Sequence, residues 1–153
     1  MKRKQLKNLL KEKEEYSKKY KEILKEKIDV LLGGFPCQAF SVAGSRKGFE
    51  DERGNLFFSI INLIEELDRI HGKPRVLFLE NVKNLKNHDR GNTYTRIVEE
   101  LKKVGYIVKE HVINTMDFSE LPQNRERIYI VAFLNEKDAS NFKMFDNIDE
   151  FKF

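Results

Sequence analysis

The sequence predicts an α/β fold with one mostly parallel sheet, a terminal antiparallel strand, and helices packed on the sheet. Short apolar runs alternate with segments of helical spacing, in the order strand, helix, strand, helix, strand, strand. Right-handed crossovers make the first three strands parallel, and the short link before the fourth favours an antiparallel pair. The 153 residues are enough for one domain with a single core.

The first predicted strand leads to the one cysteine of the chain. It covers residues 29–32, a continuous apolar run of the kind that buried parallel strands use. We expect Gly33 and Gly34 to end it, which places Cys37 at the carboxyl edge of the sheet, where ligands bind in open α/β folds. A polar loop follows over residues 41–55, and a loop of this length usually binds a ligand or closes over one.

The remaining elements follow the same alternation. A helix is expected over residues 56–70, where apolar residues recur at helical spacing, and it should pack on one face of the sheet. A second buried strand is predicted at 75–80 and ends at a glutamate. A helix at about 93–104 and strands at 106–114 and 127–133 complete the order.

Three segments are expected along the chain: residues 1–27, 28–134 and 135–153. The first is rich in Lys and Glu and has apolar residues near helical spacing, which favours one amphipathic helix with a solvated charged face. A basic arm that binds phosphate is the weaker alternative, because glutamates interleave with the lysines. The last segment has no clear pattern beyond phenylalanines that we expect to cover apolar surface: Phe142, Phe145, Phe151 and Phe153.

Composition limits the classes of function. The net charge of +4, diluted by 25 acidic residues, permits a nucleic-acid partner without requiring one. A single cysteine excludes an internal disulfide, and we expect a cytoplasmic protein without a membrane span. A thiol enzyme unrelated to DNA would need a histidine base near Cys37, and a metal site would need clustered ligands. His71, His88 and His111 show neither pattern.

Four short motifs occur in order: Phe35-Pro-Cys-Gln, Arg53-Gly-Asn-Leu-Phe-Phe, Glu80-Asn-Val and Gln123-Asn-Arg-Glu-Arg. In this order and spacing they resemble the middle motifs of DNA (cytosine-5) methyltransferases, over about residues 29–133. The resemblance implies part of the Rossmann-like fold of methyltransferases that use S-adenosylmethionine (SAM). It further implies methylation of double-stranded DNA, of the kind found in restriction–modification, with SAM as the cofactor.

The resemblance assigns the chemistry to two residues at strand ends. Cys37 would be the nucleophile, since a thiolate can add to C6 of cytosine and make C5 electron-rich. A lone cysteine is otherwise most often a small buried hydrophobe. Glu80 would contact N3 of the flipped base. Because an unpaired carboxylate is costly to bury at the end of an apolar strand, we expect Glu80 to be protonated. Without the motif, it would be an ordinary strand-end acid in water.

Three further residues complete the expected catalytic set. Asn81 is expected to position the cysteine loop by a hydrogen bond. Arg125 and Arg127 are two apart and therefore share one face of a strand. By resemblance, Arg127 contacts O2 of the base, and Arg125 supports the active-site loop or a phosphate. From the residues alone, a solvated pair bonded to neighbouring glutamates is the simpler alternative.

The same resemblance gives residues 41–55 the role of a loop that closes over DNA and holds the base outside the helix. The residues expected to contact DNA are Gln38, Ser41, Lys47 and Arg53. Two apolar positions, Pro36 and Leu56, match family residues that approach the cofactor.

The glycine-rich turn that binds SAM and the target-recognition domain of the family have no counterpart in this sequence. We therefore expect a truncated or split enzyme. The apolar edge of the first strand would then pair with a second copy of the chain or with a complementary subunit that supplies the missing strands. The alternative is a catalytically inactive DNA-binding or assembly subunit.

Overall fold

The computed structural model describes residues 15, 17–36, 55–120, 122–146 and 148–151. Its centre is a four-stranded sheet with the order β1-β2-β4-β3. The strands are β1 (Val30–Gly34), β2 (Val76–Val82), β3 (Ile107–Asn114) and β4 (Glu126–Phe133). β1 pairs with β2 in parallel, whereas β4 is antiparallel to both of its neighbours.

The predicted strand directions are confirmed. β1, β2 and β3 run the same way, and the terminal β4 runs against them. However, β4 lies between β2 and β3, so only one of the adjacent pairs in the sheet is parallel. The polar connection between β3 and β4 is short enough for these strands to pair as a hairpin. The other edge of β4 then pairs with β2.

Two strand boundaries differ from the prediction. The predicted strand stops at residue 32, but Gly33 and Gly34 are the last two residues of β1, in register with Leu79 and Glu80 of β2. β2 likewise continues beyond Glu80 to Val82. Neighbouring strands supply hydrogen-bond partners at both positions, and this pairing outweighs the weak strand preference of glycine.

The helices are α1 (residues 17–23), α2 (Asn55–Ile70), α3 (Asn92–Lys103) and α4 (Glu136–Asn141). α2 and α3 start and end within about a residue of the prediction. Of the helix expected over residues 1–27, only the part around α1 lies within the described residues. α4 was not predicted, although its start has a clear cap: the Asn135 side chain accepts the Asp138 N–H at 2.8 Å. No helix among the described residues is long and apolar enough to cross a membrane.

One face of the sheet carries the main core. α2 and α3 pack there, as predicted for the first of them, and they bury side chains that recur at helical spacing. The sheet contributes alternate residues of β2 and β4. Fully buried members of this core include Phe57, Ile64, Leu77, Leu79, Ile97, Leu101, Ile128 and Ile130.

The C-terminal segment covers part of the other face. Val131 and Phe133 form a second buried cluster with Ala139, and Phe142 and Phe145 pack against it. The rings of Phe133 and Phe142 lie 5.2 Å apart. The expectation that Phe142 and Phe145 cover apolar surface is confirmed, while the side chains of Phe151 and Phe153 lie outside the described residues.

A buried tyrosine makes the fold sensitive to alkaline pH. Tyr106 donates its hydroxyl to the Pro74 carbonyl at 2.7 Å, and burial raises the pKa of this phenol above its ordinary value. In the unfolded chain the phenol ionises near pH 10. Folding therefore retains a proton that the unfolded chain loses, so stability falls as the pH rises above about 10.

We expect Tyr106→Phe to lower the free energy of unfolding by about 1–2 kcal/mol at neutral pH, because the Pro74 carbonyl loses its donor. The deficit should narrow as the pH rises towards about 11, since the variant has no phenol at this position to ionise. Urea denaturation of both proteins across this range measures it. A deficit that stays constant with pH would contradict the assignment.

Candidate active site

Three strands bring polar residues to one edge of the sheet. β1 and β2 are parallel and therefore end at the same edge. β4 is antiparallel to β2, so β4 begins where β2 ends, with Val82 opposite Arg127. The segment that leads to Cys37, the Glu80-Asn81 pair and the two arginines of the last motif consequently meet at one place.

Glu80 pairs with both arginines. Its Oε1 lies 2.8 Å from Nε of Arg127 and 3.8 Å from an Nη of Arg125. Both contacts are ion pairs, and the shorter one to Arg127 gives the stronger Coulombic attraction. Arg127 also donates from Nη1 to the backbone carbonyl of Glu126 at 2.8 Å. Two contacts on different atoms therefore fix the orientation of the Arg127 guanidinium.

The burial of these groups differs from the expectation at Glu80. The side chains of Glu80 and Arg127 are 37% and 21% exposed, so neither is isolated in the core. An unpaired carboxyl was expected, but the structure gives Glu80 an ionic partner. The alternative of two solvated arginines bonded to neighbouring glutamates also fails for Arg127, whose partner is on the adjacent strand.

Asn81 connects the site to the segment before the cysteine. Its side chain is buried, donates from Nδ2 to the Phe35 carbonyl at 2.7 Å, and accepts the Val82 N–H at 2.8 Å. Phe35 is buried too, and its ring lies 5.3 Å from that of Phe57. Phe35, which follows β1 and precedes Cys37 by two residues, is thus held both at its carbonyl and at its ring.

Sequence reasoning missed two contacts that shape this edge. Lys83 pairs with Glu126 at 2.6 Å and joins the end of β2 to the start of β4. Asn114 accepts the Arg125 N–H at 3.0 Å and holds the segment before β4 against β3. The signal for the first contact was a lysine directly after one motif and a glutamate inside another. Strand order was needed to connect them.

The other predicted site residues divide into two groups. Pro36 and Leu56 are exposed, and they adjoin the packed rings of Phe35 and Phe57. Those expected to react with or contact DNA lie outside the described residues: Cys37, Gln38, Ser41, Lys47 and Arg53. Within the described ranges, no group of three or more His, Cys, Asp or Glu residues could hold a metal ion.

The histidines have partners elsewhere. His71 contacts the Leu24 carbonyl at 3.2 Å, and His88 contacts the Thr93 hydroxyl at 2.6 Å. The ring of His111 stacks on Phe145 at 5.3 Å. Each contact is of the structural kind that the sequence indicated.

Comparison with known proteins gives a consistent result. The profile of the C-5 cytosine-specific DNA methylase family matches residues 2–153. Over 116 residues the chain is 57% identical to Type II methyltransferase M.Bsp6I of Bacillus sp. (strain RFL6), covering 75% of this chain and 35% of that protein. It is 45% identical over 115 residues to Type II methyltransferase M.HhaI of Haemophilus parahaemolyticus, covering 75% and 33%. The chain thus spans about a third of the length of these relatives.

Solved structures share the fold. The Dnmt2 methyltransferase of S. pombe superposes with a TM-score of 0.58 over 88% of this chain and 36% of that one, at 21% identity. The methyltransferase EhMeth of Entamoeba histolytica gives 0.54 over 76% and 35%, at 25% identity. Both likenesses support the methyltransferase type of α/β fold.

The buried Asn81 side chain is expected to stabilise the edge. Asn81→Ala would leave the Phe35 carbonyl and the Val82 N–H without this partner, and should lower the free energy of unfolding by about 1–3 kcal/mol. The matched control is Asn84→Ala, an exposed asparagine in the turn after β2, which should change it by less than about 0.5 kcal/mol. Equal losses for the two variants in urea denaturation would refute this role.

Proposed function

This chain belongs to the C-5 cytosine-specific DNA methylase family, and we propose that it transfers a methyl group from SAM to C5 of cytosine in double-stranded DNA. One observation carries the proposal: Arg127 lies 2.8 Å from the Glu80 carboxylate, at the sheet edge where β1 ends three residues before Cys37 in the sequence. We place this activity in the cytoplasm and in restriction–modification. Residues 28–134 would be the catalytic part, with 1–27 and 135–153 as flanking segments.

The proposed reaction begins at the Cys37 sulfur. The thiolate forms a bond to C6 of the flipped cytosine, and the electron pair of the C5–C6 double bond moves towards C5. Negative charge spreads to N3 and O2 of the ring. The electron-rich C5 would accept the electrophilic methyl group that SAM would supply, with the thioether S-adenosylhomocysteine as the leaving group, and the C5 proton would then leave to a base. The electrons of that C–H bond restore the double bond and expel the sulfur.

Glu80 and Arg127 would stabilise the charge on the ring. Glu80 donates a proton to N3, and Arg127 contacts O2. The geometry of Arg127 suits this role, because Nε faces Glu80 and Nη1 faces the Glu126 carbonyl. A guanidinium has five N–H donors in one plane, so donors on Nη2 remain for an oxygen of the substrate.

The cysteine loop would be positioned by Asn81. Its hydrogen bond to the Phe35 carbonyl holds the chain close to Cys37, which is what a nucleophile needs in order to meet C6 at a fixed distance. Arg125, with its longer contact to Glu80, would support the loop or a DNA phosphate. Gln38, Ser41, Lys47 and Arg53 would hold the backbone of the DNA while the base is outside the helix.

The described residues fit only part of a SAM site. Pro36 and Leu56 expose apolar surface at the edge that holds Glu80, which suits the apolar parts of the cofactor. Bound there, SAM would supply an electrophilic methyl group. The described residues give no glycine-rich turn at this edge. We therefore propose that strands from outside the described residues pair with β1 and complete the site.

The exposed surface of β1 supports this extension. Val30 and Leu32 are 52% and 70% exposed, although both are apolar strand residues. β1 pairs with β2 on one side only within the described sheet. An edge of this kind can accept another strand, either from a second copy of the chain or from a complementary subunit.

The covalent step can be tested without the cofactor. DNA that contains 2-pyrimidinone in place of cytosine accepts the thiolate at C6 and a solvent proton at C5. We expect the wild-type chain to form this adduct, Cys37→Ser to form none, and Glu80→Gln to form it about 100-fold more slowly. Glu99→Gln, at an exposed position of α3, is the control and should match the wild type. The adduct is detected on denaturing gels and by mass spectrometry.

DNA binding that is unchanged in Cys37→Ser and Glu80→Gln, with no adduct in any mixture, would overturn the enzyme proposal. The chain would then be a DNA-binding or assembly subunit. Transfer of labelled methyl groups from SAM to mixed-sequence DNA by the chain alone would show that self-assembly is enough to complete the cofactor site.

Self-association through β1 gives a separate prediction. If copies of the chain pair at this edge, Leu32→Lys should shift sedimentation towards the monomer, because a charge replaces the most exposed apolar side chain of β1. Ile70→Lys alters an equally apolar exposed residue at the end of α2 and should leave the association unchanged. A wild-type chain that stays monomeric at every concentration would leave the complementary subunit as the source of the strands.

A further inference from the structure

The carboxylate of Glu80 extends between two strands. Oε1 faces Arg127 on β4, whereas Oε2 lies over β1, where a Cβ built on Gly34 would be 3.4 Å away. Gly34 is the register partner of Glu80, so a side chain there would point to the same face of the sheet. The contacts that the structure gives this carboxylate within its described part both go to Oε1.

Backbone conformation does not explain why position 34 is a glycine. The glycines with positive φ in the described residues are Gly72, Gly91 and Gly105, and all three lie outside the strands. Gly34 is an ordinary strand residue that any amino acid could occupy. What distinguishes Gly34 is that it lies beside Glu80. A Cβ at this position would lie 3.4 Å from both the backbone carbonyl oxygen and Oε2 of Glu80.

We propose that Gly34 shapes the pocket for the flipped base. The absence of a side chain at this position leaves room for a pyrimidine ring to contact Oε2 of Glu80. The inference rests on the proposed function, since it takes Glu80 as the group that contacts the ring. A ring on this oxygen approaches from the β1 side, because the arginines occupy the side of Oε1. Ring atoms need about 3.5–4.0 Å from any carbon they pack against, and a methyl group at position 34 would occupy that volume.

The same distances predict that the resting site tolerates an alanine. A contact of 3.4 Å is at the lower limit of ordinary van der Waals distance, so Glu80 and Arg127 need not move. Gly34→Ala should therefore fold normally, and its added methyl group should exclude only the pyrimidine ring. Gly33 is the matched control, because it precedes Gly34 in the same exposed strand and has nothing within 4 Å of a built Cβ.

The two variants are compared in the adduct assay with 2-pyrimidinone DNA. We expect Gly34→Ala to slow adduct formation at least about tenfold, as misplacement of a reacting ring does, and Gly33→Ala to stay within about twofold of the wild type. Thermal unfolding should show both variants to be at least as stable as the wild type, since alanine suits a strand better than glycine does. Equal rates for the two variants would overturn the proposal.

A second measurement separates this proposal from the covalent mechanism. Free cytosine is titrated into the wild type and both variants, and the carboxyl carbon of Glu80 is followed by NMR. We expect its signal to respond in the wild type and in Gly33→Ala, and to be unchanged in Gly34→Ala. A change in the Glu80 signal without any adduct in the gel assay would support the ring-binding site beside Gly34 and count against the Cys37 chemistry. An equal change of this signal in Gly34→Ala, or no change in the wild type, would refute the ring-binding site beside Gly34.

Discussion

The antiparallel pairing of β4 with β2 brings the charged groups of the site together. A parallel strand in that place would carry its first residues to the opposite edge of the sheet. Because β4 runs against β2, its first residues meet the last residues of β2, and Arg127 comes within 2.8 Å of Glu80. The Lys83–Glu126 pair joins the same two strand ends. The electrostatic arrangement is therefore a consequence of topology.

Alternation along β2 separates packing from chemistry. Leu77, Leu79 and Asn81 point into the core beneath α2 and α3, whereas Phe78 and Glu80 point to the other face. A shift of one residue would bury the Glu80 charge and expose Leu79, at a cost that fixes the register. The buried Asn81 is the exception in the core face, and its amide is used there to hold the carbonyl of Phe35. The core thus positions the site without containing charge.

Sequence reasoning predicted the order of the strands along the chain and their directions, and it placed Glu80 and the segment before Cys37 at one edge. These conclusions follow from periodicity and from crossover handedness, which are local or general rules. The contact between Glu80 and Arg127 depends on the position of β4 in the sheet, which no local pattern records. Gly33 and Gly34 were expected to end β1 because glycine is a common breaker, but pairing with β2 keeps both in the strand. α4 was missed because six residues are too few to show a helical period.

An ion-paired glutamate is compatible with the proposed proton donor. In the resting protein, Nε of Arg127 lies 2.8 Å from Oε1 of Glu80. A bound cytosine adds a basic nitrogen, and the pair formed by N3 and Glu80 must then gain one proton from solvent. As sulfur adds to the ring in the proposed reaction, this proton would move to N3 and the negative charge would return to the carboxylate beside Arg127. In the proposed reaction, the Arg127 cation would offset the charge that the proton transfer leaves on Glu80. Glu80 would thus act as a proton donor only when a base occupies the site, whereas in the free protein it is paired with Arg127.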